Sequence, residues 1–418
     1  MKLSNLRLED KNGWTYLICD CKAPFAKEEE LWYAVPDEYK HILSDEVYDA
    51  FLVTMLYPAM FYKEEIVIEG SVTEKLYRNI MTYVQALLKD FSPDLTSVDV
   101  RINGFSTITK TDHLVGTGFS GGVDSFTTFY DHFENETNPA YRINVLFFAN
   151  TGSHGDYYDE STLKRFDNRY RLLKRFPEEK GLPYIKLNSN VFAYYREDWH
   201  LKNGSLRRIS AVIACQKVLA KYYMSSSSSY RELMFDGPNQ YNYSLEDYAD
   251  PYLLPLLSPE GLDIIPDGYQ YTRVQKTQRI ANYPATQKYL NVCISHSDDG
   301  DAKNCSSCDK CLRTLMTLES MDALDCFAGV FDLSVYKKHR FAYKCLQRID
   351  YHHIHYARAN IDFAVFNHKY VPSRFIAYLV CMPTLAKRAM KKTVGEKTIR
   401  RLKWKLKNGR ALLRQKKR

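Results

Sequence analysis

The region from residue 112 to about residue 325 alternates short apolar runs with longer amphipathic segments, and this pattern constrains the fold more than any other feature. Apolar runs at residues 114–119, 144–149 and 184–187 are each followed by a segment with helical periodicity. Such alternation is typical of a parallel sheet whose strands are joined by crossover helices. We therefore predict an α/β fold for this region.

The other predicted elements of this region are helices and two more strands. The helices are expected at residues 125–133, 159–176, 206–223 and 309–321, and the strands at 233–236 and 290–294. Residues 237–268 lack periodicity and predict a long connection. The five consecutive serines at 225–229 predict a surface loop.

Four parts of the chain are expected to differ in structure. Residues 1–111 have strand-like runs at 14–19 and 65–68 and a helical pattern at 72–88, which together predict an α+β module. The α/β region at 112–325 comes next. Residues 326–386 predict a helical region, and residues 387–418 form a basic tail.

Charge is unevenly distributed along the chain. The 418 residues include 58 Lys and Arg against 50 Asp and Glu, a net charge of +8. The basic tail has 15 basic residues and one acid, Glu396, so it carries +14 and the rest of the chain −6. Preceded by the apolar residues 375–386, this tail is suited to an anionic membrane surface or to RNA; a solvated tail is the third alternative.

The apolar stretches are too short to predict a membrane span. The longest, residues 50–62 and 375–386, contain Pro58 and Pro383 and fall short of the roughly 20 residues that a bilayer requires. The first residues lack the apolar run of a secretory signal. We therefore expect a cytoplasmic protein, with membrane contact at most peripheral, whose ten cysteines stay reduced.

A glycine-rich turn joins the first strand of the α/β region to its first helix. Two adjacent glycines permit positive φ values and let backbone N–H groups surround an anion, and two serines add hydroxyl donors. The helix N-terminus contributes a favourable dipole. An acid within the turn would repel a bare phosphate but would hold Mg²⁺ against it. The sequence is Gly118-Phe119-Ser120-Gly121-Gly122-Val123-Asp124-Ser125.

The six residues from Ser120 to Ser125, following a strand, resemble the PP-loop of the ATP pyrophosphatase superfamily. Its members include asparagine and NAD synthetases, tRNA-thiolating enzymes and 7-cyano-7-deazaguanine synthase, and they use ATP to adenylate a substrate oxygen with release of pyrophosphate. The resemblance implies the doubly wound parallel sheet of the adenine nucleotide alpha-hydrolase-like fold. It also implies that ATP and Mg²⁺ bind at this loop. The expected ligands of ATP are Ser120, Gly121, Gly122, Val123, Asp124 and Ser125, with catalytic roles for Asp124 and Ser125.

Three further residues are candidate ATP contacts. The resemblance implies that adenine lies at the end of the second strand, near Asn150. Arg273 and Lys276 lie three residues apart on a predicted helix, so both can face one anion, either the triphosphate or an acidic substrate. A solvated helix face is the alternative for this pair.

A cysteine cluster predicts a metal site. Cys305, Cys308 and Cys311 have CxxCxxC spacing, and Cys293 lies twelve residues before the first of them. Two-residue gaps let thiolates converge on one ion, and a fourth ligand from a separate element closes a tetrahedral, structural Zn²⁺ site. His296 and Asp301 compete with Cys293 as the fourth ligand, and an Fe–S cluster is the alternative to zinc.

The cysteine cluster and its neighbours show a second resemblance to known proteins and include two basic residues. The cluster is similar to the zinc site of 7-cyano-7-deazaguanine synthase. Cys305 to Thr314 also fits a CxxCxKCxRT pattern found with PP-loops in bacterial proteins of unassigned role, often placed in surface-polysaccharide pathways. Lys310 and Arg313 would offset the surplus negative charge of four thiolates bound to Zn²⁺.

These patterns predict an enzyme that adenylates a small-molecule carboxylate or carbonyl oxygen, which ammonia or another nucleophile then attacks. Surface-polysaccharide or secondary metabolism is the expected setting by analogy. One alternative is a tRNA-modifying sulfurtransferase, for which Cys215 is the candidate catalytic thiol. Another is a non-catalytic nucleotide-binding assembly protein.

Overall fold

A computed structural model describes residues 1–152, 160–196, 204–234, 245–293 and 304–394. Ten strands in these residues form one continuous sheet. The strands are β1 (Lys2–Lys11), β2 (Trp14–Lys22), β3 (Glu30–Pro36), β4 (Ile66–Val72), β5 (Val100–Phe105), β6 (Leu114–Gly118), β7 (Val145–Asn150), β8 (Tyr184–Ser189), β9 (Leu219–Ser225) and β10 (Asp263–Asp267).

Fifteen α-helices lie in the described residues. They are α1 (Asp49–Tyr62), α2 (Glu74–Asn79), α3 (Gln85–Phe91), α4 (Val123–Phe129), α5 (Glu160–Leu173), α6 (Arg175–Glu179), α7 (Gly204–Ile213), α8 (Tyr230–Met234), α9 (Leu245–Leu256), α10 (Arg273–Ala281), α11 (Pro284–Tyr289), α12 (Asp309–Ser320), α13 (Leu333–Asp350), α14 (His355–Phe366) and α15 (Arg374–Val394). Wider helical turns at Ile80–Val84 and Tyr130–Glu134 continue α2 and α4.

The sheet is mostly parallel. Its order is β10-β9-β6-β7-β8-β3-β2-β1-β4-β5, and every neighbouring pair from β10 to β8 is parallel. An antiparallel contact between β3 and β8, with Tyr33 opposite Ser189, extends the sheet into the first hundred residues. The predicted α/β class is confirmed, and the strands from the two predicted parts 1–111 and 112–325 share one sheet.

Helices cover both faces of the central strands. Leu146 and Phe148 of β7 belong to one buried cluster, together with side chains of α4, α10 and α12. Val145 and Phe147 belong to a second buried cluster, with side chains of α1, α7 and α9. Because successive side chains of a strand point to opposite faces, these two clusters lie on opposite sides of the sheet.

The order of the parallel strands puts the glycine-rich turn at a special place. From β6 the chain adds β7 and β8 on one side, then crosses back and adds β9 and β10 on the other side. The turn that follows β6 therefore lies where the winding direction reverses. In open α/β sheets, ligands bind at this point, beyond the carboxyl ends of the strands.

Three sequence predictions in the α/β region are wrong. The helix expected at 206–223 ends at Ile213 and gives way to β9, because the mainly apolar residues 219–223, interrupted by Lys221, also suit a buried strand. Residues 237–268 contain α9 and β10 rather than a bare connection. The described residues 233–234 of the expected strand 233–236 close helix α8; 235–236 lie outside the described residues.

The expected strand at 290–294 and the expected surface loop at 225–229 are also wrong, because side chains form hydrogen bonds with the backbone in both segments. Residues 290–293 form no strand, since the Asn304 side chain bonds with this segment instead, and residue 294 lies outside the described ranges. The serines at 225–229 are not a surface loop, since Ser226, Ser228 and Ser229 are buried. The backbone N–H of Glu232 donates to Ser229 Oγ at the start of α8, a typical helix cap.

The last helix crosses a predicted boundary. α15 runs through residue 387, where the basic tail was expected to begin, and most of that tail lies outside the described residues. Over the portion of the chain that the structure covers, no helix is both long and apolar enough to traverse a bilayer.

Asp49 at the start of α1 links the N-terminal region to the α/β region. Its side chain is fully buried and accepts hydrogen bonds from the N–H and hydroxyl of Thr73, both at 2.8 Å, and from Gln216 Nε2 at 3.1 Å. Burial raises the pKa of Asp49 from 3.8 to about 6, although these donors oppose the shift. Ionised Asp49 therefore costs folding free energy near neutral pH.

We predict that Asp49→Asn alters the pH dependence of stability. A raised folded-state pKa contributes stability below the unfolded value and loses it as the pH rises through about 6. Between pH 4 and pH 8, wild type should lose about 2 kcal/mol of unfolding free energy relative to the variant. Denaturant unfolding at both pH values measures this, with the exposed Asp90→Asn as control. If wild type and Asp49→Asn differed in their free energy of unfolding by the same amount at both pH values, the prediction would be contradicted.

Candidate functional site

The glycine-rich turn has a shape that only glycine tolerates. Gly121 has φ +72°, and a Cβ there would lie 2.5 Å from Leu173 Cδ2. The N–H of Asn291 donates to Gly121 O at 2.7 Å, which ties the turn to the segment before Cys293. Gly122 caps α4, so the first N–H groups of that helix, from Val123 onward, have no intrahelical acceptor.

Two serine hydroxyls line the same turn. The N–H of Ser120 donates to Ser125 Oγ at 3.3 Å, and the two hydroxyl oxygens also lie 3.3 Å apart. Ser125 Oγ donates to Gly122 O at 3.2 Å. The residues from Ser120 to Ser125 thus form a compact group of hydrogen-bond donors beyond the end of β6.

Asp124 is the acid of the turn, and α10 supplies its partners. Arg273 Nη1 forms an ion pair with Asp124 Oδ2, and Lys276 Nζ lies 3.6 Å from Asp124 Oδ1. Burial alone would raise the pKa of Asp124, but the charges of Arg273 and Lys276 outweigh it and hold that pKa below its ordinary value. Among the described residues, no group donates a hydrogen bond to Asp124 Oδ1.

Lys276 is buried at the carboxyl end of β9. Only 1% of its surface is exposed, and its Nζ donates to Ser226 O at 2.5 Å. Burial, together with the charge of Arg273, lowers the pKa of Lys276. The structure thus brings Arg273, Lys276 and the turn together. Their three-residue spacing lets both cations face one anion, as we expected from the sequence.

Three more cations reach this site from elements that sequence reasoning did not connect to it. Arg169 of α5 donates to Ser120 O at 3.3 Å. Burial and the charges of Arg273 and Arg313 lower the pKa of Lys310. Burial and the charge of Arg273 likewise lower the pKa of Arg313. These cations therefore repel one another within one region of the site.

Asn150 closes β7 at the same edge of the sheet. Its side chain is buried, and Nδ2 donates to Asn188 Oδ1 at 2.9 Å. Its Oδ1 receives no hydrogen bond from the described residues. A buried acceptor without a donor is costly, so this oxygen is suited to a ligand that donates.

The four cysteines of the predicted metal site converge. The Sγ atoms of Cys293, Cys305, Cys308 and Cys311 all lie within 4.8 Å of one another, and those of Cys305 and Cys311 are 3.9 Å apart. Tetrahedral Zn²⁺ with Zn–S bonds of about 2.3 Å requires sulfur atoms about 3.8 Å apart. This donor set fits a metal ion such as zinc. The competing ligands His296 and Asp301 lie outside the described residues.

Hydrogen bonds favour thiolate at Cys305. Burial would raise its pKa, but the N–H and hydroxyl of Ser307 and the N–H of Cys308 outweigh this and lower the pKa of Cys305 to about 6. The N–H of Cys308 lies 3.2 Å from Cys305 Sγ. Such donors are typical partners of metal-bound sulfur.

Asn304 holds the two halves of the cysteine cluster together. Its Oδ1 accepts from the N–H groups of Val292 and Cys293, at 2.8 and 3.0 Å. Its Nδ2 donates to Leu290 O and Val330 O, at 2.8 and 3.0 Å. Sequence reasoning missed this residue, because an Asn beside a CxxCxxC motif carries no distinguishing signal.

The metal cluster and the cation cluster meet on one helix. α12 begins directly after Cys308 and carries Cys311 together with Lys310 and Arg313. The guanidinium of Arg313 lies 4.6 Å above the Tyr356 ring, which fixes its direction. Lys310 and Arg313 therefore belong to the site around Asp124 as well as to the surroundings of the thiolates.

Comparisons with protein-family models, with curated proteins and with solved structures found no match to this chain.

We predict that Cys308→Ser releases a structural metal. Wild type should contain about one Zn²⁺ per chain by elemental analysis, and the variant should lose it and melt at a lower temperature, because three ligands bind zinc less tightly than four. Cys326→Ser, which removes an exposed cysteine outside the cluster, should retain the metal. Iron in place of zinc, or full zinc content in Cys308→Ser, would contradict the prediction.

Proposed function

We propose that the protein is an ATP-dependent enzyme that adenylates a carboxylate or carbonyl oxygen of a small molecule. The observation that carries the proposal is the set of mutually repelling cations around a glycine-rich turn at the reversal point of the sheet. Clustered positive charge beside a cradle of N–H and hydroxyl donors is suited to a polyphosphate. Because residues 120–125 resemble the PP-loop, we propose that this polyphosphate is ATP.

Arg273 and Lys276 are the proposed ligands of the phosphates, with the N–H groups of Gly121 to Ser125. Arg169, Lys310 and Arg313 lie close enough to add charge from α5 and α12. A guanidinium can bind phosphate oxygens in pairs, whereas Lys acts as a point charge. Because of this difference, we propose that Arg273 rather than Lys276 fixes the orientation of the triphosphate.

Asp124 is the proposed ligand of Mg²⁺. Its carboxylate is held in the charged form, and its Oδ1 has no hydrogen-bond donor among the described residues, so one lone pair is available. A bound Mg²⁺ would neutralise charge on the leaving pyrophosphate. Arg273 pairs with the other oxygen of Asp124 and keeps the carboxylate in place. These features fit a hard cation that prefers oxygen ligands.

Asn150 is the proposed contact of adenine. Its Oδ1 is a buried acceptor without a donor in the described residues, and the exocyclic amino group of adenine is a donor. β7 ends beside the turn that follows β6, so one nucleotide can reach both places. A doubly wound sheet, as the resemblance implies, is supported by helices on both faces and by the strand order around β6.

The proposed reaction has two steps. A substrate oxygen attacks the α-phosphorus of ATP, the bond from that phosphorus to the bridging oxygen breaks, and pyrophosphate leaves with the electron pair. Ammonia or another nucleophile then displaces AMP from the activated carbon. The cations around the turn stabilise the charge that develops on pyrophosphate, which is the main task of such a site. Surface-polysaccharide or secondary metabolism remains the setting by analogy.

The structure favours this reaction over sulfur transfer. Cys215 is fully buried at the end of α7, and burial raises the pKa of its thiol far above the ordinary value. A nucleophilic cysteine needs an accessible thiolate. The third alternative, a non-catalytic nucleotide-binding protein, predicts ATP binding without AMP formation.

We predict that Arg273→Gln weakens the binding of Mg-ATP at least tenfold, measured by titration calorimetry, because a charge-assisted phosphate contact is lost. Arg279→Gln is a matched control on the same helix. Arg279 pairs with Asp131 as Arg273 pairs with Asp124, and it should leave the affinity within twofold of wild type. Equal affinities in both variants would contradict the proposed site.

We predict that Asp124→Asn lowers AMP and pyrophosphate formation about 100-fold or more, because the carboxylate that holds Mg²⁺ is lost. The assay supplies Mg-ATP, ammonium and pools of small carboxylic acids and sugar acids, and it quantifies AMP and pyrophosphate. Turnover by Asp124→Asn equal to wild type would reject the mechanism. ATP binding without AMP formation in any pool would favour the non-catalytic alternative.

A further inference from the structure

The start of α15 and the segment before it carry an unusual amount of exposed apolar surface. Phe366 is 80% exposed, Phe375 73% and Met382 61%. We name this set the α15 apolar face; its members are Phe366, Tyr370, Phe375, Tyr378, Leu379 and Met382, each at least half exposed. Scattered apolar residues are ordinary on a surface, but a contiguous set marks a binding surface.

Packing of the opposite side of α15 fixes the direction of this face. Ala377 and Cys381 are buried against Cys345 of α13. Two turns further on, Arg388 forms two hydrogen bonds with the Asp350 carboxylate, at 2.7 and 3.0 Å. These residues share one side of the helix by their spacing of four and seven. Phe375, Leu379 and Met382 lie on the opposite side and therefore point away from α13.

Positive charge borders the α15 apolar face. Arg374 begins the helix and contacts His352, and Lys387 is exposed near its other end. The sequence from residue 387 to residue 418 carries +14, whereas the rest of the chain carries −6. By sequence, residues 1–386 therefore have no net attraction for an anionic surface, and the positive charge is concentrated in the segment that follows the apolar face along the chain.

We propose that the α15 apolar face binds the surface of an anionic lipid bilayer. A helix with aromatic and aliphatic side chains on one side and Lys and Arg at its flanks lies in the plane of the interface. The apolar side chains enter the acyl boundary, while the basic residues meet the lipid head groups. This inference is independent of the proposed reaction.

Charge distinguishes this occupant from the two competing ones. A second copy of the chain would bring two segments of +14 together, which repel each other. RNA would satisfy the basic residues but would leave Phe375, Leu379 and Met382 in water. An anionic bilayer complements both the apolar and the basic groups.

Co-sedimentation of the full chain with vesicles tests the proposal. Two kinds of vesicle are used, one of phosphatidylcholine alone and one of phosphatidylcholine with 30 mol% phosphatidylserine. The test variant is Phe375→Ser, Leu379→Ser, Met382→Ser, and the control is Tyr83→Ser, Tyr252→Ser, which removes two equally exposed rings elsewhere. Thermal unfolding and circular dichroism confirm that each variant remains folded.

The expected result is binding to the phosphatidylserine vesicles that weakens with salt, with an affinity at least tenfold higher than for phosphatidylcholine alone. The test variant should lose at least tenfold in affinity, and the control should match wild type. Absence of vesicle binding, or equal binding by the folded test variant, overturns the proposal. Light scattering that shows a wild-type dimer and a monomeric test variant also overturns it, as does RNA binding that only the test variant loses.

Discussion

Repulsion among cations around the turn that follows β6 is the constraint on which the candidate site depends. Burial and the charge of Arg273 lower the pKa of Lys276, Lys310 and Arg313, yet all four cations are held in one region by the packing of α10 and α12. Asp124 offsets part of this charge and is itself kept ionised by it. Such an arrangement costs folding free energy unless an anion relieves it, and the same cost is what makes the region ready to bind one.

The cysteine cluster helps to hold the cations in place for binding an anion. Cys308 and Cys311 lie at the start of α12, so a bound metal would anchor the end of the helix from which Lys310 and Arg313 extend. The Asn304 side chain fixes the segment before and including Cys293 through three hydrogen bonds to its backbone, and a fourth goes to Val330 O. A structural ion and a phosphate site thus share one rigid support, although they use different ligands and different chemistry.

Local motifs were predictable from the sequence, whereas contributions from distant elements were not. The turn at 120–125 and the CxxCxxC group are short segments whose spacing itself determines what their side chains can do, and the structure brings each together. Arg169 contacts the turn from α5, and the Asn304 side chain bonds with residues 290–293. Nothing in the sequence around Arg169 or Asn304 indicates these contacts. The strand β9 was mistaken for helix because a run with Tyr222 and Tyr223 buried on opposite faces has no period of two.

The contact between β3 and β8 has a consequence for how the chain reaches its final form. Trp32 donates its N–H to Asn190, a partner 158 residues away, and Tyr33 pairs with Ser189. During synthesis, β3 therefore leaves the ribosome long before the strand that covers its edge. An uncovered edge with a nearly continuous apolar sequence is open to wrong pairing. We therefore expect the edge of β3 to need protection from wrong pairing until β8 has been synthesised.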